Sequence, residues 1–349
     1  MTGRELIDKL NSEKQLSFDE WKQLIASHTD DDAEYAASIA RDIATGIFGK
    51  KIYFRGIVEF TNICKNDCIY CGIRKSNKNV ARYRLSDDDI LECCREGYEC
   101  GFRTFVLQGG EDMHYTDERL VALIKRIKGE FTDCAVTLSV GERERASYEK
   151  LFAAGADRYL LRHETADEAH YGLLHPSELK WAHRMQCLRD LREIGFQTGC
   201  GMMVGSPFQT VDHLAKDMMF IKEFDPQMVG MGPFIPHHDT PFRDEPAGSA
   251  DLTIFLLSLV RIMLPSVLLP ATTALGTLSG DGRQRGVLAG CNVIMPNLSP
   301  LSVRKKYMLY DNKVGTGDSA ADGIEKLRAQ MNEIGYEVCV GRGDYKEEK

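Results

Sequence analysis

The sequence has little of what marks a secreted, membrane-spanning or nucleic-acid-binding protein. Its formal net charge is −8, whereas a general nucleic-acid binder carries a basic patch. Residues 1–15 lack the apolar stretch of a signal peptide. The most apolar run, residues 254–270, is interrupted by Arg261 and Pro265, whereas a membrane-spanning helix needs about 20 apolar residues. We therefore expect a cytoplasmic protein with neither a nucleic-acid nor a membrane partner.

Linkers, low-complexity tracts and sequence repeats are also missing from the 349 residues. Instead, short apolar runs rich in β-branched residues alternate with amphipathic segments. A chain of this length is long enough for two average domains or for one α/β barrel. The eight runs that we predict to be strands are residues 52–60, 104–108, 135–140, 158–164, 197–204, 228–235, 268–275 and 292–296.

The segments between these runs have helical patterns. The first begins at Ser86, an N-cap serine followed by three aspartates, and extends to Gly101. Alternating strands and helices predict a parallel sheet, and eight units predict a complete (β/α)8 TIM-type barrel. A barrel without one or two strands and an open doubly wound sheet are the alternatives. The other predicted helices are residues 117–128, 144–154, 179–194, 211–223 and 252–264.

Three regions follow from this pattern. Residues 1–48 are predicted to be an N-terminal helical extension, residues 49–315 the barrel, and residues 316–349 a C-terminal helix and tail packed on the barrel. Polar and glycine-rich residues follow the carboxyl end of every predicted strand, where barrel enzymes place their active sites. After the first strand comes a loop with three cysteines, and this loop is the strongest functional signal in the chain.

Cys64, Cys68 and Cys71 form a C-x3-C-x2-C pattern in this loop. Structural zinc normally takes four ligands, and no histidine occurs between Cys71 and His114. A cubane iron–sulfur cluster is usually held by four thiolates, so three thiolates leave one iron with a free position. We predict a [4Fe–4S] cluster here, with zinc as the alternative. The other eight of the 11 cysteines are interpreted as small buried hydrophobes.

The cysteine loop resembles the signature of the radical S-adenosylmethionine (radical SAM) superfamily, which has an aromatic residue before the last cysteine; here it is Tyr70. The resemblance implies that the amino and carboxylate groups of SAM chelate the open iron. An electron from the cluster then cleaves SAM to a 5′-deoxyadenosyl radical. The stretch Gln108-Gly109-Gly110-Glu111 resembles the second-strand motif of the superfamily, whose glycines allow close approach and whose carbonyls accept from the ammonium of SAM.

Other residues are candidates for the remaining groups of SAM. Arg184 would pair with the carboxylate through its planar guanidinium; its alternative role is a surface salt bridge. Glu164 would accept from the ribose hydroxyls or the ammonium, and Ser139 would add a hydrogen bond. Tyr70 and Met203 would cover the adenine, although Met203 is also interpretable as a core residue.

Arg162, His163 and Glu164 are consecutive in a predicted strand. Successive side chains of a strand point to opposite faces, so Arg162 and Glu164 share a face and His163 points away. Charged groups inside a barrel are costly unless they are paired or bound to a ligand. Arg162 is therefore a candidate anchor for an anionic substrate, and His163 is predicted to be a hydrogen-bonded packing residue.

Several segments together resemble the HydE family of radical SAM maturases, which act in assembly of the [FeFe]-hydrogenase active-site cluster. They are EFTNICKNDCIYCGIR, VLQGGED, TLSVGE, AGADRYLLRHETAD, MVGMGPFIPHHDTP, LPATTALGT and NVIMPNLSP. The resemblance extends over about residues 52–310. Biotin synthase and methylornithine synthase are relatives that share the cysteine loop, whereas RHETAD and GPFIPHHDTP favour the HydE family.

This resemblance implies a complete barrel around an internal cavity and a small organometallic substrate, a cysteine-bound iron carbonyl–cyanide complex. The adenosyl radical would attack the cysteine sulfur of this complex. The implied partners are the maturases HydG, as supplier of the complex, and HydF, together with a low-potential electron donor. Tyr307 and Tyr310 are also interpretable as core aromatics of one helix. The residues implied to line the cavity are Arg162, Gln108, Thr272, Thr273, Met228, Tyr307 and Tyr310.

Two departures from the family pattern stand out. Some family members carry further cysteines near the carboxyl terminus for an accessory cluster, but residues 307–322 contain none, so we predict a single cluster. His175 occupies a position where arginine is typical. Two competing functions stay open: a related radical SAM enzyme acting on an organic amino-acid-like substrate, and a non-enzymatic iron–sulfur or zinc scaffold.

Overall fold

A computed structural model describes residues 1–345, which form fourteen helices and eleven strands. The helices are α1 (Gly3–Glu13), α2 (Phe18–Ser27), α3 (Asp30–Phe48), α4 (Asp87–Glu99), α5 (Asp117–Glu130), α6 (Arg145–Ala153), α7 (Glu168–Leu174), α8 (Trp181–Ile194), α9 (Val211–Phe224), α10 (Ala250–Met263), α11 (Thr273–Leu278), α12 (Gly282–Leu288), α13 (Leu301–Arg304) and α14 (Ala320–Glu333). The strands are β1 (Lys51–Phe54), β2 (Gly56–Thr61), β3 (Thr104–Gly109), β4 (Ala135–Ser139), β5 (Arg158–Leu160), β6 (Gln197–Cys200), β7 (Met203–Val204), β8 (Met228–Val229), β9 (Gly232–Pro233), β10 (Val293–Ile294) and β11 (Glu337–Cys339).

Side-chain caps account for where several helices begin. Thr2, Ser17, Thr29 and Ser86 each accept from the backbone amide three residues later, and the acidic side chain at that position accepts from the cap residue's own amide. Such a capping box satisfies amides that the first helical turn leaves without partners. The helix predicted from Ser86 is confirmed as α4.

The central sheet is parallel and contains six strands in the order β2-β3-β4-β5-β6-β8. Isolated parallel bridges continue the pairing beyond both of its edges. They join Met228 of β8 to Leu268, Pro270 to Val293 of β10, and Ile57 of β2 to Asn297. Strands alternate with helices along the chain, so the α/β class with a parallel sheet is as predicted.

The seventh predicted strand, residues 268–275, is wrong as a regular strand. Among the described residues, this segment pairs only through the bridges at Leu268 and Pro270. Pro270 has no amide to donate to a sheet. Thr272 then accepts from the amide of Leu275 and so caps helix α11, which turns the chain away from the sheet.

The C-terminal region contains a strand that the pattern did not predict. Helix α14 agrees with the expected last helix, and β11 follows it and pairs in parallel with β1. The chain then runs beneath the amino ends of the strands. There Arg55 donates to the carbonyl of Gly343, and Arg158 donates to Asp344. Residues 346–349 of the predicted tail lie outside the described part of the chain.

The apolar core lies between the sheet and the helices around it. The N-terminal helices belong to this packing: α2 contacts α9, and α3 packs on α10. The buried face of α3 carries the small side chains of Ala36, Ala40 and Ala44, which allow two helix axes to approach closely. No helix within residues 1–345 combines the length and apolarity that a membrane crossing requires.

Candidate active site

The three loop cysteines open onto one cavity of about 350 Å³ at the carboxyl ends of the strands. The loop that carries them has few regular elements and is held by side chains. The Arg82 guanidinium donates to the carbonyls of Asn62, Ile73, Arg74 and Asn77 at 2.6–3.0 Å. Four bonds from one planar group fix the path of the loop on both sides of Cys64, Cys68 and Cys71.

Gly110 is where the end of β3 meets the cysteine loop. A Cβ atom on Gly110 would lie 2.3 Å from the carbonyl oxygen of Ile63 and 2.8 Å from the Cβ of Cys64, so only glycine fits. The amide of Lys65 donates to the carbonyl of Glu111 at 2.9 Å. The glycine motif therefore contacts the cysteine loop. This contact suits their resemblance to the cysteine signature and the second-strand motif of one superfamily.

The spacing of the three loop cysteines favours an iron–sulfur cluster over a single zinc ion. Among residues 1–345, the groups whose ligand atoms all lie within 4.8 Å of one another are Glu142-His183-Cys187 and His237-His238-Asp239. The loop cysteines are not such a group, although ligands of a single zinc ion would be. A set that is spread out suits a cluster in which each thiolate binds a different iron.

Burial raises the pKa of all three thiols, that of Cys71 to about 12. The thiols are therefore protonated at neutral pH until a metal replaces the protons. Thiolate sulfur is a ligand that iron–sulfur clusters select. The donor set thus fits an iron–sulfur cluster.

Arg162 and Glu164 share the cavity face, and His163 points away from it, as predicted. The Nε atom of Arg162 donates to Oε1 of Glu164 at 3.1 Å. The other carboxylate oxygen of Glu164, Oε2, is buried and has no hydrogen-bond partner among the described residues. His163 is fully buried and bonds to Asp217 and to the amide of Gly201. An unmatched buried acceptor beside a cavity indicates a ligand with hydroxyl or ammonium donors.

Arg184 is not in a surface salt bridge. It is buried on α8, its Nε lies 2.6 Å from Oε1 of Glu142, and its Nη1 donates to the carbonyl of Arg162 at 3.3 Å. The amide of Glu142 in turn donates to Glu111. Arg184 therefore belongs to a charged network that joins α8 to the ends of β3 and β4.

Tyr70 and Met203 lie on the same side of the cavity. The Tyr70 hydroxyl is 3.2 Å from Nε2 of His175, and the two rings meet edge to face. Burial and the nearby Arg184 lower the pKa of His175 to about 3, so this ring is neutral. Met203 packs in a small apolar cluster against Tyr70 and also lines the cavity. It is therefore a core residue with one face toward the cavity. Ser139, at the end of β4, lines the cavity as well.

The opposite wall carries hydroxyl and amide groups. Tyr307 is buried, and Tyr307, Tyr310 and Gln108 all line the cavity. The helix expected for the two tyrosines is wrong, because α13 ends at Arg304 and they follow it in a loop of turns and bends. The amide of Gly72 donates to the carbonyl of Leu309, which ties this loop to the cysteine loop. Thr272 and Thr273 complete the wall.

Met228 does not line this cavity, so the prediction for it is corrected. Its side chain packs with Leu268 and Val293 in a buried apolar cluster, and its sulfur accepts from Nη1 of Arg55 at 2.9 Å. Met228 therefore lies below the cavity, toward the amino ends of the strands.

Two further charged residues of the wall had no motif to mark them. Glu59 and Lys313 are buried, line the cavity and form an ion pair. Asn297 donates to the second oxygen of Glu59 at 2.7 Å, and Lys313 also donates to the carbonyl of Tyr307. The sequence offered one signal for Glu59, which is an acidic residue at an inward position of an apolar strand. Lys313 lies far from Glu59 in the sequence, so no local pattern joined the two residues.

Comparison with known proteins identifies the class of the chain. Residues 58–221 match the family model of the radical SAM superfamily. The open three-cysteine loop, its contact with the glycine motif and this match define a radical SAM enzyme. The crystal structure of methylornithine synthase (PylB) resembles the chain with a TM-score of 0.85 at 26% identity, over 96% of this chain and 97% of that one.

The sequence relatives narrow the class. The chain is 43% identical to the [FeFe] hydrogenase maturase subunit HydE of Thermotoga maritima over 314 residues, which cover 90% of this chain and 89% of that protein. It is 27% identical to 3-methylornithine synthase of Methanosarcina acetivorans, over 89% of this chain and 88% of that protein. The chain belongs to the HydE family.

Proposed function

We propose that this chain is a maturase in [FeFe]-hydrogenase active-site assembly that acts on a cysteine-bound iron carbonyl–cyanide complex. The observation that carries the proposal is one shared cavity. The three cysteines open onto it from one side, and Arg162 with the hydroxyls of Thr272, Thr273 and Tyr307 from the others. The 43% identity to a [FeFe] hydrogenase maturase subunit HydE supports the role in hydrogenase maturation.

Cys64, Cys68 and Cys71 would hold a single [4Fe–4S] cluster. When bound, the cluster and SAM supply a 5′-deoxyadenosyl radical by one-electron reductive cleavage of SAM. The loop residues hold the ligands in place, since Arg82 bonds to four loop carbonyls. Residues 307–322 have no cysteine, which supports the expectation of no second cluster.

The SAM partners proposed from the sequence have suitable surroundings. Glu164 has a buried oxygen without a partner, suited to ribose hydroxyls or the ammonium. Arg184 carries a guanidinium next to the cavity, suited to the carboxylate. The side chain of Glu111 already accepts from Glu142 and pairs with Lys65, so the backbone of Gly109, Gly110 and Glu111 would receive the ammonium. Ser139 would add a hydrogen bond, and Tyr70 and Met203 would cover the adenine.

The substrate side of the cavity suits an anionic complex with cyanide ligands. Arg162 supplies a cation, and Gln108, Thr272, Thr273, Tyr307 and Tyr310 supply neutral donors. Burial raises the pKa of Tyr310 to about 12, so its hydroxyl keeps its proton and donates at neutral pH. Met228 is left out of this set because it lies beneath the cavity.

A cavity inside a barrel requires strands on every side. We infer that the sheet completes a (β/α)8 barrel, supported by the bridges at Leu268, Pro270 and Asn297 beyond the six-stranded sheet. The division into residues 1–48, 49–315 and 316–349 remains the proposed domain organisation. A cytoplasmic location, HydG and HydF as partners, and a low-potential electron donor belong to the same proposal.

The test is anaerobic. The protein is reconstituted with iron and sulfide, reduced, and its electron paramagnetic resonance spectrum is recorded with and without SAM. We expect about four irons per chain and a signal that changes on adding SAM. A signal indifferent to SAM would favour a scaffold protein and overturn the proposal.

The identity of the substrate is then tested with the reduced protein that responds to SAM. Consumption of the iron carbonyl–cyanide complex together with formation of 5′-deoxyadenosine is the expected result. The organic-substrate alternative is favoured by the likeness to methylornithine synthase. Consumption of an amino acid in place of the iron complex would establish that alternative instead.

A further inference from the structure

The backbone at Glu164 has an unusual conformation. Glu164 has a φ of 65°, in the left-handed region that non-glycine residues rarely adopt. Its neighbours Arg162 and His163 point to opposite sides of the sheet, and the bend at Glu164 directs its carboxylate back toward Arg162, to which it is bonded. Such a conformation persists only where surrounding contacts hold it.

Asp217 of helix α9 binds the chain on both sides of this bend. Its Oδ1 atom accepts from Nε2 of His163 at 3.2 Å and from the amide of Ala166 at 2.5 Å. The amide of Gly201 donates to Nδ1 of His163 at 3.3 Å. Because Nδ1 accepts from this amide, the Nε2 atom is the one that donates to Asp217.

This pair is unusually deep in the molecule. The side chains of both His163 and Asp217 are 0% exposed, and Oδ2 of Asp217 has no hydrogen-bond partner within the described chain. A buried carboxylate with an unmatched oxygen is unfavourable for folding, and an apolar pair of the same size would avoid that penalty. The pair lies behind the sheet and does not touch the cavity, so substrate binding does not explain it.

We propose that Asp217, acting through His163 and the amide of Ala166, is a positioning residue that holds Glu164 in its left-handed conformation and so sets the affinity for SAM. The proposal rests on the role of Glu164 proposed above. Four hydrogen bonds meet the chain at residues 163, 164 and 166: two with Asp217 and two with Gly201, whose carbonyl accepts from the amide of Glu164 at 3.0 Å. Without Asp217, the segment would keep the Gly201 contacts and the bonds from Arg184 and Trp181 to the carbonyls of Arg162 and Thr165.

The test measures SAM binding by equilibrium dialysis with the reconstituted, unreduced protein, so that no turnover is required. Asp217→Ala removes both bonds, and we expect its Kd for SAM to rise about tenfold or more with iron content unchanged. Asp217→Asn keeps an oxygen that accepts from His163 and Ala166, and its affinity is expected to stay within about twofold of wild type. Amide hydrogen exchange at residues 163–166 should accelerate only in Asp217→Ala.

Asp190→Ala is the matched control, since Asp190 is a largely buried carboxylate on α8 that pairs with Arg145 away from the bend. If Asp217→Ala does not fold, His163→Leu removes the same contact from the other side and should also weaken SAM binding. Wild-type affinity in a folded Asp217→Ala or His163→Leu protein, or equal loss in Asp190→Ala, would overturn the proposal. Wild-type affinity in Glu164→Ala would instead overturn the role of Glu164 itself.

Discussion

Arg158 and Arg162 lie at the two ends of strand β5 and have opposite surroundings. Arg158, at the amino end, donates to Gln197, Thr104, Asp344 and the carbonyl of Arg342. Arg162, just beyond the carboxyl end, makes one side-chain hydrogen bond within residues 1–345, to Glu164. The remaining donors of Arg162 face the cavity.

The contrast extends to whole ends of the sheet. At the amino end the C-terminal segment supplies partners: Arg342 pairs with Asp157 and Asp344, and the carbonyl of Gly343 accepts from Arg55. At the carboxyl end, Glu164 keeps an unmatched oxygen. A buried charge that the chain itself neutralises supports the fold, whereas one left unmatched at a cavity is available to a ligand. Arg158 at the amino end is therefore neutralised by the chain itself, whereas the unmatched oxygen of Glu164 at the carboxyl end supports the ligand-binding role proposed above.

The largest expected effect is at the cysteine loop. Cys68→Ala removes one of the three proposed ligands, and we expect the iron content to fall from about four per chain to near zero. Cys93→Ala is the control, because Cys93 is a buried residue of α4 with a pKa raised to about 12 by burial, and its iron content should not change. Loss of iron in both variants would mean that our division of the cysteines is wrong.

At the amino end, Arg158→Ala should lower stability without altering the site. Its side chain is 1% exposed while that of Asp344 is 35% exposed, so we expect a loss of about 3 kcal/mol, at the low end for a broken buried pair. Denaturant unfolding measures this loss. Iron content and SAM affinity of the folded fraction should match wild type, and a selective loss of SAM binding would contradict the structural assignment of this end.

At the carboxyl end, Arg162→Ala should act on the site. We expect turnover of the iron complex to fall on the order of 100-fold, because a cation facing the cavity is removed, while SAM binding is spared. Arg162→Lys keeps the charge but not the planar guanidinium and should recover only part of the rate. Wild-type turnover in Arg162→Ala would remove this residue from the site.

The smallest effect is expected at the exposed rim, where His238 lies between Asp311 and Asp239 and stacks on His237. The hydrogen bond to Asp311 raises the pKa of His238. Because the pKa of His238 is raised in the folded state, its pair with Asp311 stabilises the fold fully below about pH 6.5, the pKa of an unfolded histidine. This stabilisation is lost as the pH rises through the pKa of the folded state.

The melting temperature of wild type should therefore decline slightly more from pH 6 to pH 8 than that of His238→Asn. The side chain of His238 is 68% exposed, so solvent screens the pair and the difference will be small. Identical pH profiles would show that the pair adds nothing to stability.

Local patterns were sufficient for much of the fold. The caps at Ser86 and the apolar periodicity predicted α4 and most other long helices, because these signals lie within one or two turns of sequence. They failed where pairing partners are distant. β11 is a short strand that exists because β1 offers it an edge, and residues 268–275 form no regular strand because Pro270 cannot donate and Thr272 caps a helix.

The sequence by itself determined the cysteine spacing, the glycine motif and the alternation of Arg162, His163 and Glu164, since each depends on residues close together in the chain. Only the tertiary structure decided which charged groups are neutralised and which are left open. Glu142 meets Arg184, Lys313 meets Glu59, and Asp217 bonds to His163 and to the amide of Ala166. The physical reason is that burial and pairing depend on distances in space, which no local pattern records.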